Sequence, residues 1–215
     1  MDVTEYIESL IEMPSSFATA SWQEAYAALL LDYYEQYDGE YSLYFLLYDI
    51  DMDGIPELFI SERGDWIDHI DVVYTFRGGE TIFLEFGEGV SFMPHLFSGS
   101  GPVLSPAPDG VPGIIASAKG VGSIFGGNNW ANLIAIDGYR LIVESRGEWI
   151  VDVAALHNLD ANDINEDTVM EHTTITINGN IVSKQEYMRI FGLVYPDLRP
   201  HSITEGNIRD IIFSH

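Results

Sequence analysis

The segment Tyr44–Ile60 reads YFLLYDIDMDGIPELFI and places an acidic loop between two apolar runs. Four carboxylates lie in the loop, at Asp49, Asp51, Asp53 and Glu57. Short apolar runs bounded by turn residues are typical of buried β-strands. We therefore expect a strand–loop–strand unit here, with the rest of the fold built around it.

The spacing of the carboxylates predicts a cation site. With Asp49 as position 1, the acidic residues fall at positions 1, 3, 5 and 9, and Gly54 at position 6 allows the loop to fold back. Calcium prefers about six to eight oxygen ligands in flexible geometry, whereas magnesium requires a stricter octahedron. The predicted calcium ligands are the side chains of Asp49, Asp51, Asp53 and Glu57 and the main-chain carbonyl of Ile55.

Four other interpretations of the loop differ in how well the residues fit them. An EF-hand is disfavoured, because position 12 is the apolar Ile60 instead of an acidic residue. The loop could also be an ordinary solvent-exposed acidic turn that binds no ion. A magnesium-dependent phosphatase would use Asp51 as nucleophile and Asp53 as acid–base residue. Such an enzyme also needs a lysine and a later acidic pair at strand ends, and neither Lys119 nor Lys184 is followed by a convincing pair. A metal-dependent sugar-nucleotide transferase would need more basic residues for a diphosphate.

The segment Tyr48–Leu58 resembles the calcium loop of integrin-type FG-GAP repeats. It resembles more closely an uncharacterised group of bacterial, often exported domains, in which a helix with a Trp and an Ala-Tyr pair precedes such a loop. Trp22, Ala25 and Tyr26 fit that helix, and Ile177–Tyr187 is similar to the closing turn and helix of the group. The resemblance implies that the four acidic side chains of the loop bind calcium, and it implies no activity.

Outside the loop, the sequence predicts one α+β domain over residues 1–215. Hairpins would form a largely antiparallel sheet, with two N-terminal helices before it and two short C-terminal helices after it. Proline and glycine predict long irregular loops at 87–113 and 120–130. The expected helices are Asp2–Met13, a helix capped by Ser21 that ends near Asp38, a helix from Ser183 to about Phe191, and a last helix that carries Ile208, Ile211 and Ile212.

Composition excludes several classes of protein. The net charge is −25, from 34 acidic and 9 basic residues, which disfavours binding to nucleic acid or anionic membranes. No apolar run approaches the roughly 20 residues of a membrane span. Cysteine is absent, so no thiolate site or disulfide is expected. The N-terminus shows no signal-peptide pattern, but a calcium site slightly favours an extracytoplasmic location, where calcium is plentiful.

These observations lead to one functional hypothesis and one alternative. The first is a non-catalytic, calcium-stabilised binding or interaction module, whose protein or glycan ligand contacts the long loops at 87–113 and 120–130. The alternative is the magnesium-dependent phosphatase that uses Asp51 and Asp53. The sequence predicts neither the oligomeric state nor the identity of the ligand.

Overall fold

A computed structural model describes most of the chain, in two compact units. The described residues are 21–36, 42–63, 68–88, 90, 103–119, 129–156, 158–159, 163, 166–191, 198 and 201–214. Unit 1 comprises Met1–Asp65, Ile70–Glu85 and Arg199–His215, and unit 2 comprises Trp66–His69 and Phe86–Leu198. The expectation of one domain over residues 1–215 stays a prediction.

Strands dominate the described residues. In chain order, the helices are α1 (Trp22–Gln36), α2 (Val153–Leu156), α3 (Glu166–Glu171), α4 (Lys184–Phe191) and α5 (Glu205–Ile212). The strands are β1 (Ser42–Tyr48), β2 (Glu57–Arg63), β3 (Asp68–Arg77), β4 (Glu80–Phe83), β5 (Glu85–Phe86), β6 (Val103–Pro106), β7 (Ile114–Lys119), β8 (Asn129–Asp137), β9 (Arg140–Val151), β10 (Thr173–Ile177), β11 (Asn180–Ile181) and β12 (His201–Ser202). None of these helices combines the length and apolarity that a membrane span requires.

Unit 1 is built on a five-stranded sheet with the order β12-β1-β2-β3-β4. The two apolar runs around the acidic loop pair antiparallel as β1 and β2, with Tyr48 opposite Glu57 at the mouth of the loop. The strand–loop–strand prediction is therefore confirmed. Phe45 and Leu46 are both buried although neighbours in a strand point to opposite faces, so β1 is buried on both sides.

Helices α1 and α5 contribute to the core on one face of this sheet. The Ser21 cap predicted for α1 is present, with the Glu24 N–H donating to Ser21 Oγ at 3.3 Å. The N-cap of α5 is Thr204, whose side chain accepts from the Asn207 N–H. The largest core side chains of unit 1 are Tyr26, Leu30, Tyr33, Phe45, Leu58, Ile60, Tyr74, Phe76, Ile203, Ile208 and Ile212.

Unit 2 is built on a seven-stranded sheet. Its main order is β11-β10-β9-β8-β7-β6, and β5 pairs with β9. Helix α4 covers one face, where Tyr187 and Phe191 pack on Ile175 and Ile177 from β10. The pairing of β8 with β9 shifts register between Leu133 and Ile134, which is a β-bulge.

The predicted fold class is wrong. The protein is mostly β with two antiparallel sheets, and the helices are not arranged as two N-terminal and two C-terminal ones. Helices α2 and α3 lie between β9 and β10. They have 4 and 6 residues, which is too short for a helical hydrophobic period to show in the sequence. The expected helix Asp2–Met13 lies outside the described residues.

Two strand assignments also differ from the predictions. Strand β6 lies inside the segment 87–113, which was expected to be irregular; it ends at Pro106 and occupies the edge of its sheet, where a missing N–H is tolerated. In the sequence, the pair Arg146-Gly147 favours a break between two strands, but β9 runs through it. Glycine is needed at position 147 because side chains of α4 pack so closely against it that they leave no room for a Cβ.

We predict that Gly147→Ala destabilises the protein by about 1–3 kcal/mol. A Cβ at this position would lie 2.5 Å from the rings of both Phe191 and Tyr187, which are themselves almost fully buried. Chemical denaturation with urea measures the effect. Gly206→Ala is the matched control, because a Cβ on this α5 residue meets no atom closer than 4.0 Å and alanine favours the helix. Equal effects of the two substitutions would contradict the proposed packing.

Candidate cation site

The acidic loop connects β1 to β2 and has an unusual backbone. Gly54 has a φ of 90°, as expected from its position in the sequence. Met52 has a φ of 62°, although a side chain of this size rarely adopts the left-handed region. Met52 is also 56% exposed, so burial of its side chain does not explain this conformation. The loop is shaped by its polar groups.

Aspartate side chains fold the loop by accepting main-chain hydrogen bonds. Asp49 accepts from the N–H of Asp53 at 3.1 Å and from the N–H of Gly54 at 2.9 Å. Asp53 accepts from the N–H of Ile55 at 2.8 Å. The loop therefore closes around Asp49, which is the first acidic position.

Three carboxylates converge at one point. Asp49, Asp51 and Glu57 each offer an oxygen, and these oxygens lie within 4.8 Å of one another. Asp49 and Asp51 are partly buried, and Glu57 is fully buried. An ionised carboxylate offers about four lone-pair positions, so the hydrogen bonds of the loop leave capacity for a cation. The group can hold a metal ion, and its oxygen-only chemistry suits a hard cation.

Glu57 is the deepest member of this group. Its Oε2 accepts from the main-chain N–H of Ile50 at 2.8 Å, and its Oε1 accepts from the Thr75 hydroxyl at 3.1 Å. The pKa of Glu57 is raised to about 8, chiefly by burial and also by the neighbouring carboxylates of Asp51 and Asp49, against the lowering effect of the two donors. Without a cation, this carboxyl group is therefore largely protonated near neutral pH.

Asp51 has a basic partner. Arg77, at the end of β3, donates from Nη2 to Asp51 Oδ2 at 2.5 Å. The side chains are 31% and 24% exposed, so solvent screens this pair only in part. The contact joins a guanidinium to a carboxylate, which makes it a charge-assisted hydrogen bond.

A tyrosine from α1 lies in the field of the same carboxylates. Tyr26 is fully buried and donates to the main-chain carbonyl of Tyr74 at 3.3 Å. Burial raises its pKa, and the charges of Glu57, Asp53 and Asp51 raise it further. Tyr26 consequently stays protonated and keeps its hydrogen bond to β3.

The structure brings together some of the predicted ligands. Asp49, Asp51 and Glu57 form the group, whereas Asp53 is exposed and is not a member of it. Ile55 packs its side chain against the unit 1 core. Calcium ligation by Asp53 and by the Ile55 carbonyl stays a prediction.

Sequence reasoning missed Thr75 and Arg77. They lie two positions apart on β3, so they project from the same face of the strand, towards the loop. A local signal for them existed: Thr75 alternates with buried apolar residues, and Arg77 is one of only nine basic residues in the chain. Nothing in the sequence indicated which carboxylates they would meet.

We predict that Glu57 makes the stability of the metal-free protein depend on pH. Its pKa is about 8 in the folded state against 4.5 as the ordinary value, so the folded state binds the extra proton between these values. The stabilisation from Glu57 is fully present below about pH 4.5 and is lost as the pH rises through about 8, with a slope of at most about 1.4 kcal/mol per pH unit. Urea denaturation in chelator at several pH values measures this slope.

Glu57→Gln is the variant that isolates the contribution of this group. Glutamine does not titrate, so the difference between the unfolding free energies of wild type and variant must change with pH in the stated range. A constant difference between pH 5 and 8 would show that the folded-state pKa of Glu57 is not raised.

Comparison with known proteins adds no further assignment. No protein-family model, no curated protein and no solved structure matches this chain. The functional argument therefore rests on the residues and the geometry of the loop, which bring an Asp–Asp–Glu group together at the mouth of a β-hairpin.

Proposed function

We propose that the chain is a non-catalytic binding module whose fold is stabilised by calcium in the Asp49–Glu57 loop. The observation that carries this proposal is the convergence of three carboxylates, of which Glu57 is fully buried. A buried carboxylate is costly when ionised, and like charges at this separation repel each other. A divalent cation removes both costs, so binding would favour the folded state.

The ligand set favours calcium over magnesium. The carboxylates come from a tight loop at irregular spacing, and main-chain hydrogen bonds fix the orientations of Asp49 and Glu57. Calcium accepts such variable geometry and a carbonyl ligand such as Ile55, whereas magnesium demands a near-ideal octahedron and retains its waters. The resemblance of Tyr48–Leu58 to known calcium loops supports the same choice.

The phosphatase alternative is less well supported. Enzymes of that type place their aspartates at the ends of parallel strands, whereas β1 and β2 pair antiparallel on either side of this loop. The nucleophile of that scheme would be Asp51, and its Oδ2 is bonded to Arg77.

The partner of the module, a protein or a glycan, is proposed to bind away from the loop. The loops expected to contact it lie largely outside the described residues. In unit 2, the β-sheet register places Ile150, Thr174 and Ile181 on the same face, and Ile150 and Ile181 are 44% and 80% exposed. We propose this face as the surface that contacts the partner. An extracytoplasmic location would provide the calcium.

We predict that calcium raises the melting temperature of chelator-treated protein and that magnesium has a much smaller effect. At a concentration of one hundred times the dissociation constant, calcium would add about 2.7 kcal/mol to the free energy of unfolding. Asp49→Asn should remove most of this gain, because it removes a charge from the cluster. Its single amide oxygen can accept from only one of the N–H groups of Asp53 and Gly54, so the metal-free variant should also melt at a lower temperature. Differential scanning calorimetry measures the shift.

Asp137→Asn is the matched control for this experiment. It makes the same chemical change at an exposed turn between β8 and β9, so the calcium shift should remain. Absence of a calcium shift in the wild type would refute the module as proposed. Magnesium-dependent release of phosphate from an aryl phosphate, lost in Asp51→Asn with the fold retained, would establish the phosphatase instead.

A further inference from the structure

Strand β3 supplies two different donors to the acidic group. Thr75 gives a neutral hydroxyl to the buried Glu57, and Arg77 gives a full positive charge to the shallower Asp51. The two residues are neighbours on one face of the strand. The strand thus places a neutral donor at the fully buried carboxyl group and a charged donor at the partly buried one.

The guanidinium group of Arg77 lies beside the position that a bound metal ion would occupy. Its Nη2 is 2.5 Å from Asp51 Oδ2, and Asp51 belongs to the group whose oxygens lie within 4.8 Å of one another. The guanidinium therefore lies at the rim of the position that a metal ion would share with Asp49 and Glu57. Arg77 cannot lose its charge at physiological pH.

We infer that Arg77 is the resident counter-cation of the loop and that it competes with divalent cations for the acidic group. This inference rests on the proposed calcium site and describes how that site is regulated. In the metal-free state, Arg77 neutralises Asp51 and holds the loop against β3. When calcium binds, the guanidinium and the metal repel each other, so Arg77 moves off Asp51 or weakens the binding of the metal.

As a consequence, the loop would bind calcium with only moderate affinity. The ion pair and the metal both use Asp51, and each lowers the affinity of the other by the same factor, as linkage requires. Removing the charge of Arg77 should therefore tighten calcium binding and should weaken the metal-free fold. These two effects have opposite signs, which a purely structural role of Arg77 would not produce.

The test is isothermal titration calorimetry of chelator-treated protein with calcium chloride. Arg77→Gln should bind calcium about tenfold or more tightly than the wild type, within the usual range of coupling between sites. Arg77→Lys keeps the charge without the planar fork and should bind within about threefold of the wild type. Arg209→Gln removes one positive charge from an exposed position on α5 in the same unit and should leave the dissociation constant unchanged.

Thermal unfolding in chelator provides the second measurement. Arg77→Gln should melt at a lower temperature than the wild type without metal, and the difference should shrink in high salt, which screens the ion pair. In saturating calcium, the difference should be smaller than in chelator. A variant that melts lower by the same amount with and without calcium would show that Arg77 acts only in packing, and would overturn the inference.

The outcomes separate this inference from the calcium proposal. If the wild type binds calcium and Arg77→Gln binds it equally or more weakly, Arg77 is not a competitor, and the calcium module stands. If only Arg77→Gln binds calcium, the competition is established, and calcium stabilisation of the wild type is refuted. If neither protein binds calcium, both proposals fail, because no metal exists for Arg77 to oppose.

Discussion

The carboxyl group of Glu57 is the constraint on which the organisation of unit 1 depends. It is fully buried, and it joins three parts of the chain: its own strand β2, the main chain at Ile50 at the start of the loop, and the Thr75 hydroxyl on β3. A buried polar group must find partners or it costs free energy. Each of these partners is available only when β1, β2 and β3 lie side by side in register. The position of Glu57 therefore makes the loop geometry and the sheet order mutually dependent.

Local sequence signals predicted the features whose partners are close in sequence. The two apolar runs paired as β1 and β2, and the capping residues Ser21 and Ser183 mark the starts of α1 and α4. Asn178, with a positive φ of 51°, forms the expected turn between β10 and β11. In each case the deciding hydrogen bonds join residues a few positions apart, so composition and spacing carry the information.

Features that depend on distant partners escaped prediction. Thr75 lies 18 residues from Glu57, and Arg77 lies 26 residues from Asp51. Neither contact produces a periodic sequence pattern from which it could be predicted. Gly147 was misinterpreted for the same reason, because a glycine in a turn and a glycine under two aromatic rings are indistinguishable until the position of α4 is known. The wrong fold class has a related origin, since the placement of the short helices α2 and α3 depends on their surroundings more than on their own sequence.

The order of elements along the chain has a consequence for how the protein is made. The segment of unit 2 from Phe86 to Leu198 is inserted in the sequence between β4 and β12, and the core of unit 1 includes Ile203, Ile208 and Ile212 from beyond that insertion. During synthesis, β1 to β4 and the acidic loop emerge first, but their apolar face lacks these side chains until the whole of unit 2 has been translated. Domains fold as their residues become available, and incomplete cores expose surfaces prone to aggregation. No Lys or Arg precedes Arg63, whereas Asp and Glu are frequent in that part of the chain, so repulsion between like charges would oppose the association of such incomplete chains.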